Sequence, residues 1–175
     1  EGKYPLVVLL HGLADSKATL VKSLAPELIK KRVAILAIDA PYHGERRTTA
    51  GGREMMALFI ASQQSKIRGD LVAQIHSQDP QNMHSLFLGN VVHEGVLDNI
   101  QALNWALNRP DIDNSRVGLV GYSLGSVMGS ILLGLDSRFT CGALCVGGDP
   151  ILPLVGEYPP AMQETFYAAA PSLYL

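Results

Sequence analysis

Apolar residues fall into two patterns along this chain: short unbroken runs, and stripes that recur every three or four positions. Four runs stand out, Tyr4–Leu10, Val33–Ile38, Val117–Val120 and Cys141–Gly147. None alternates apolar with polar, which predicts strands covered on both faces, as in a parallel sheet. The stripes predict helices. Leu20, Leu24 and Leu28 mark one face of 17–31, with Ser16 placed to cap its start and Pro26 either kinking it or opening a second short helix. Val96, Ile100, Leu103 and Leu107 mark a second, closed near Arg109-Pro110, and the small-residue stretch Ser126–Leu133 follows the third run directly. Between Thr48 and about Asn90 lie two further stripes, Arg53–Ser65 and Lys66–His76, and then a loop-like segment. That is long for a strand-to-strand crossover. It reads equally as a helical cap inserted over an active site or as a long connection packed beside the sheet. A proline-rich tail carries one short helical stretch, Ala161–Ala170. Strands alternating with helices predict an α/β domain: a three-layer αβα sandwich with a mostly parallel sheet.

Composition narrows the function classes. The chain has 175 residues, 47% hydrophobic content and a formal net charge of −2. One globular domain of that size removes roughly 70% of its unfolded surface from water. Lys30-Lys31-Arg32 and Arg46-Arg47 are short basic clusters, read as solvated ends of helices or loops, so nucleic-acid binding is not expected. No apolar run approaches the ~18 residues of a membrane span. The sequence opens at Glu1, without Met and without a signal-like apolar region, which reads as a start cut into a longer protein and leaves the compartment undetermined, the cytoplasm being favoured. Cys141 and Cys145, four positions apart on one strand, are about 13 Å from each other at ~3.3 Å per residue. That exceeds the reach of a disulfide, and with no His or Cys partner nearby they form no metal site; they read as free thiols filling the core.

The third run carries the chemistry. It feeds into Gly121-Tyr122-Ser123-Leu124-Gly125, and a helix follows. Strand, G-x-S-x-G and helix together form a nucleophile elbow, in which the serine hydroxyl is pushed out over the end of the sheet. Gly121 and Gly125 suit it because a Cβ two residues to either side of Ser123 meets a neighbouring strand or helix. The helix start aims free N–H groups and a positive dipole end at the same place. The alternative is a glycine-rich strand-to-helix turn in some other α/β protein. His11-Gly12 ends the first run, and Asp39-Ala40-Pro41-Tyr42-His43-Gly44 follows the second.

With H-G-L-A-D-S-K, D-A-P-Y-H-G and P-D-I-D-x-x-R-V-G-L-V-G-Y-S-L-G in hand, the chain resembles the α/β-hydrolase superfamily. Among its members it is similar to serine esterases related to dienelactone hydrolases and prolyl oligopeptidases, over nearly everything up to Pro150. The resemblance implies the α/β-hydrolase fold, with the His11 strand between the second strand and the elbow strand. It implies Ser123 as nucleophile and an oxyanion hole formed by the backbone N–H groups of Leu13 and Leu124, with His11, Gly12, Gly121, Tyr122 and Gly125 supporting elbow and loop. One such donor is worth on the order of 3 kcal/mol in the transition state. A small-molecule ester is the expected substrate, and no metal or organic cofactor is implied. His11 and His43 are expected to be structural, His76, His84 and His93 to be surface or packing residues, and Trp105 and the methionines to pack in core or cap.

Family order places an acid and then a histidine after the serine. No histidine follows Ser123 in this sequence. Asp149, at the end of the strand after the elbow, is a candidate acid whose competing role is a turn residue before Pro150. The chain therefore resembles a hydrolase core that is incomplete at both ends. Without a base only the ~10³–10⁴-fold catalysis of oxyanion donors and binding remains, so the isolated chain is expected to be nearly inactive. Its last strand is expected to form an open sheet edge through which copies can pair. Against the reading as a carboxylesterase stand a non-catalytic binding or scaffold protein of the same fold and, within the class, a peptidase or acyltransferase.

Overall fold

The computed structural model describes residues 2–47 and 91–148, together with 160, 163–164, 167 and 170–174 in the tail. The expected cap helices at 48–90, the candidate acid Asp149 and most of the expected tail helix lie outside the described residues. Within them the chain runs β1 (Tyr4–Leu10), α1 (Lys17–Lys30), β2 (Ala34–Ala37), α2 (Glu94–Leu107), β3 (Ile112–Tyr122), α3 (Leu124–Leu135) and β4 (Cys141–Cys145). All four strands are parallel, in the order β2-β1-β3-β4. From β1 the chain moves outward to β2 on one side and returns on the other as β3. The connections that leave the carboxyl ends of β1 and β3 therefore run to opposite sides, at the kind of switch point where open α/β sheets place ligands.

Burial explains the two central strands. Leu6, Val8, Leu9 and Leu10 of β1 and Val117 and Leu119 of β3 are all nearly inaccessible, and all but Leu9 share one cluster with Leu103 of α2 and Met128, Ile131 and Leu132 of α3. β3 begins earlier than its apolar run suggests. Tyr4 pairs with Ile112 and Leu6 with Val117, so a bulge absorbs the extra residues, and Asp113 holds it together by accepting the Ser115 N–H and hydroxyl and the Arg116 guanidinium.

Several expectations need correction. Pro26 does not open a second helix: α1 is continuous from Lys17 to Lys30 with the proline inside it. Ser16 is its N-cap residue but makes no side-chain cap bond; the first helical N–H, that of Lys17, goes instead to the carboxylate of Asp39 at 2.8 Å. β4 is not a buried strand, and Cys141 and Cys145 are exposed rather than core residues. The reason is position: β4 is the outer strand of the described sheet. Gly142 and Leu144 turn toward Leu133 and Gly129 of α3, while Cys141, Ala143 and Cys145 point the other way. Trp105 is likewise not core, standing 63% exposed with the Arg109 guanidinium 5.7 Å from its ring centre. Met128, by contrast, is buried.

Candidate active site

Ser123 sits in the turn between β3 and α3 with φ 53° and ψ −113°, a left-handed conformation that L-residues rarely adopt. It is half-buried, and its hydroxyl bonds to no described residue. Close approach on both sides explains the flanking glycines. A Cβ on Gly121 would collide with the Gly125 carbonyl, and one on Gly125 with the carbonyl of Leu10 in β1. The turn is also tied to β4. The Ser123 N–H donates to the Cys145 carbonyl at 2.9 Å, and the Ser126 hydroxyl lies 2.8 Å from the Gly121 carbonyl and 2.7 Å from that of Cys145. Ser126 was not singled out from the sequence, although it is a polar residue in the first turn of an otherwise apolar helix.

The loop after β1 lies on the same rim. A Cβ built on Gly12 would be 3.5 Å from the Ser123 Cβ and 3.2 Å from the ring of Tyr122, so glycine is what allows this approach. Tyr122 itself is about half exposed. Next, the chain turns through Leu13 and Ala14, the latter at φ 62°, and closes with the Asp15 N–H on the Gly12 carbonyl at 3.3 Å. His11 is buried with both ring nitrogens engaged by backbone: Nδ1–H donates to the Gly12 carbonyl at 2.8 Å, and Nε2 accepts the Ala40 N–H at 3.0 Å. Because that lone pair is taken, the 3.9 Å approach of Asp39 to Nε2 is no ion pair. In a planar trans peptide the C=O and N–H point in opposite directions. Fixing the Gly12 carbonyl therefore fixes where the Leu13 N–H points.

A third segment, 39–47, backs this loop. Asp39 is buried, and its carboxylate accepts the Lys17 N–H, the Lys17 ammonium at 2.9 Å and the Glu45 N–H at 3.1 Å. It fills the space above Gly44, which is at φ 49° and where any Cβ would strike it. Burial acts to raise the Asp39 pKa, but the hydrogen bonds and the charge of Lys17 outweigh it and hold the carboxyl below its ordinary value. Lys17 is shifted up in turn, by Glu45 and then by Asp39. Arg46 donates to the Asp39 carbonyl and to Asp98 of α2, and Arg47 to the Ala14 carbonyl at 2.9 Å. His43 is fully buried. Its Nδ1–H donates to the Pro41 carbonyl, Nε2 has no partner among the described residues, and burial lowers its pKa.

The structure thus brings His11, Gly12, Leu13, Gly121, Tyr122, Ser123, Leu124 and Gly125 to one rim. Asp39, Lys17 and Arg47, which the sequence reading did not single out as site residues, join them; an acid closing the apolar β2 run was the available signal. Among the described residues no cluster of His, Cys, Asp and Glu could hold a metal ion, and no helix is long and apolar enough to cross a membrane.

Comparisons place this geometry. An esterase of Pyrococcus furiosus superimposes with a TM-score of 0.58 at 16% identity, covering 99% of this chain and 57% of its own. Acetyl xylan esterase 1 of a Thermoanaerobacterium species gives 0.50 at 18%, covering 97% of this chain and 54% of its own. The chain thus spans little more than half the length of either, and at such identities the likeness speaks for the fold. No curated protein matches the sequence. The family model described as the alpha/beta hydrolase fold matches residues 5–173, nearly the whole chain, and with the parallel sheet, its crossover order and the serine turn on one rim it shows that this chain belongs to the α/β-hydrolase family.

Proposed function

We propose that the chain is the core of a serine hydrolase, a carboxylesterase acting on small-molecule acyl esters, with Ser123 as nucleophile. The juxtaposition of Gly12 and Ser123 carries the reading, since it sets a half-exposed hydroxyl on a strained turn beside a loop whose amide direction is fixed. In this reading Ser123 Oγ adds to the ester carbonyl while a base takes its proton. The resulting oxyanion is held by the N–H groups of Leu13 and Leu124, each worth on the order of 3 kcal/mol. Collapse expels the alcohol, which recovers the proton, and leaves an acyl-enzyme. Water then adds to the acyl carbon, releasing the acid and freeing Ser123. His11 is not that base, because both its nitrogens are bonded to backbone, and His43 is sealed from solvent. We assign the acid to Asp149 and a covering role over the site to residues 48–90. A fluorophosphonate probe tests the reading in the whole protein. Stoichiometric labelling at Ser123, abolished by Ser123→Ala, is expected; a folded protein that takes no label would instead fit a binding protein on this fold.

A further inference from the structure

We infer that Asp39 and Arg47 are positioning residues for catalysis: from the segment after β2 they clamp the loop that carries the Leu13 N–H. The inference rests on the serine-hydrolase reading and adds to it the question of what holds an oxyanion donor in place.

Residues 12–16 have no secondary structure of their own beyond the single turn closed by Asp15. A loop of that kind sits at the low end of local stability unless other groups fix it. Here it is fixed at successive points, and most of the fixing groups lie on 39–47. The Ala40 N–H binds His11 Nε2, which leaves Nδ1–H to hold the Gly12 carbonyl. Arg47 holds the Ala14 carbonyl, on the far side of Leu13. Asp39 takes the N–H and the ammonium of Lys17, where the loop becomes α1. The peptide that presents the Leu13 N–H is therefore bracketed by His11, itself held by the Ala40 amide, on one side and by Arg47 on the other.

Neither side chain is placed against the reacting atoms. Asp39 is buried beneath the loop at the start of α1, and Arg47 is an exposed residue reaching the loop from outside. Their contribution to rate comes through the direction of one amide. An oxyanion donor acts by being aimed beforehand, and a shift of about 1 Å in such a group costs on the order of 10²-fold in rate. The ester itself, bound through its acyl and alcohol parts, loses little when that amide loosens. Such a change appears in kcat and not in KM.

Two variants in the whole protein test this, with rates normalised to the sites titrated by a fluorophosphonate. Asp39→Asn is expected to lower kcat about 10- to 100-fold with KM within about threefold, and Arg47→Met about 3- to 10-fold with the same split. A boronic acid inhibitor, whose adduct with Ser123 mimics the tetrahedral intermediate, should weaken by the same factor as kcat/KM. Inhibition by the product acid should be unchanged. Deuterium exchange at the amides of 12–16 should quicken in both variants. Because Arg47 is exposed, its variant keeps the test open if Asp39→Asn does not fold. A labelled, folded variant of either residue whose kcat stays within twofold of the wild type overturns the inference, as does a loss confined to KM. Those results leave the serine-hydrolase reading intact. A wild-type protein that takes no label sinks that reading and this inference together.

Discussion

Gly125 is the position where elbow and sheet press hardest, and replacing it with alanine tests the placement of the whole site. The new Cβ would contact the Leu10 carbonyl carbon at 2.5 Å, its oxygen closer still, and the His11 carbonyl oxygen at 2.9 Å, where ordinary contact begins at 3.4 Å. Both partners are backbone. β1 is locked between β2 and β3, so relief requires α3 to withdraw by on the order of an ångström from a close-packed interface. Overpacking of this kind costs about 1–3 kcal/mol, and a backbone target sets the upper end, about 3 kcal/mol. In a domain of this size that corresponds to a Tm lowered by roughly 6–12 °C. Two other glycines calibrate the result. At Gly129 the added methyl meets the side-chain ends of Leu119 and Leu144, at 2.8 and 2.9 Å, and of Leu10 at 3.5 Å. Those side chains can rotate, and alanine gains about 1 kcal/mol over glycine inside a helix, so the net shift should be within about 3 °C. Gly2 has nothing within 4 Å and should not respond. Thermal melts followed by circular dichroism at a fixed scan rate rank the three. A Gly125→Ala protein as stable as Gly129→Ala would mean that α3 does not lie against the end of β1, and the proximity of Ser123 to Gly12 would fall with it.

Other expectations follow from single contacts. His11→Ala strips the Ala40 N–H and the Gly12 carbonyl of their buried partner, which should cost about 3 kcal/mol in urea unfolding; a loss below about 1 kcal/mol would show that these bonds contribute little net stability. Asp39 has a folded pKa below its unfolded value, so its stabilisation is present above about pH 4 and is lost as pH falls through the folded value. The gap in urea midpoint between wild type and Asp39→Asn should therefore narrow from pH 6 to pH 3, and a constant gap over that range would contradict the assignment. Cys141 and Cys145 are exposed, so both should react with a thiol reagent in native buffer as completely as in denaturant. Protection of either would mean that the outer face of β4 is covered.

Much of this architecture was legible because it is written in local pattern. The unbroken apolar runs of β1 and β3 correspond to strands with Leu6, Val8, Leu10, Val117 and Leu119 sealed on one face and Val7 and Val120 partly covered on the other; the recurrence in α2 marks its buried side, whereas Leu20, Leu24 and Leu28 of α1 are only partly covered. The turn at Ser123 was legible for a related reason: its steric demands fall on Gly121 and Gly125, within two residues, so spacing alone points to them. β4 shows the limit. Cys-Gly-Ala-Leu-Cys has the composition of a buried strand, yet only Gly142 and Leu144 turn toward α3. Composition reports what a residue tolerates, not whether a neighbour arrives to cover it.

The same limit explains why the support beneath the site escaped notice. Lys17 and Asp39 are 22 residues apart, and His11 and the Ala40 amide 29. Neither pair has a periodicity, because what joins them is the parallel pairing of β1 with β2, which brings the carboxyl ends of the two strands side by side. Ser16 made the point at the smallest scale. It occupies the expected cap position, yet the first N–H of α1 is satisfied by a carboxylate from the next strand's loop. A side chain chosen by local preference was displaced by one supplied through topology, and that donor–acceptor pair is also what ties the loop bearing the Leu13 amide to its scaffold. Local sequence thus places the serine that attacks in the proposed reaction. The geometry of the groups that would stabilise the product of that attack is set between strands, and it becomes readable only once their order is known.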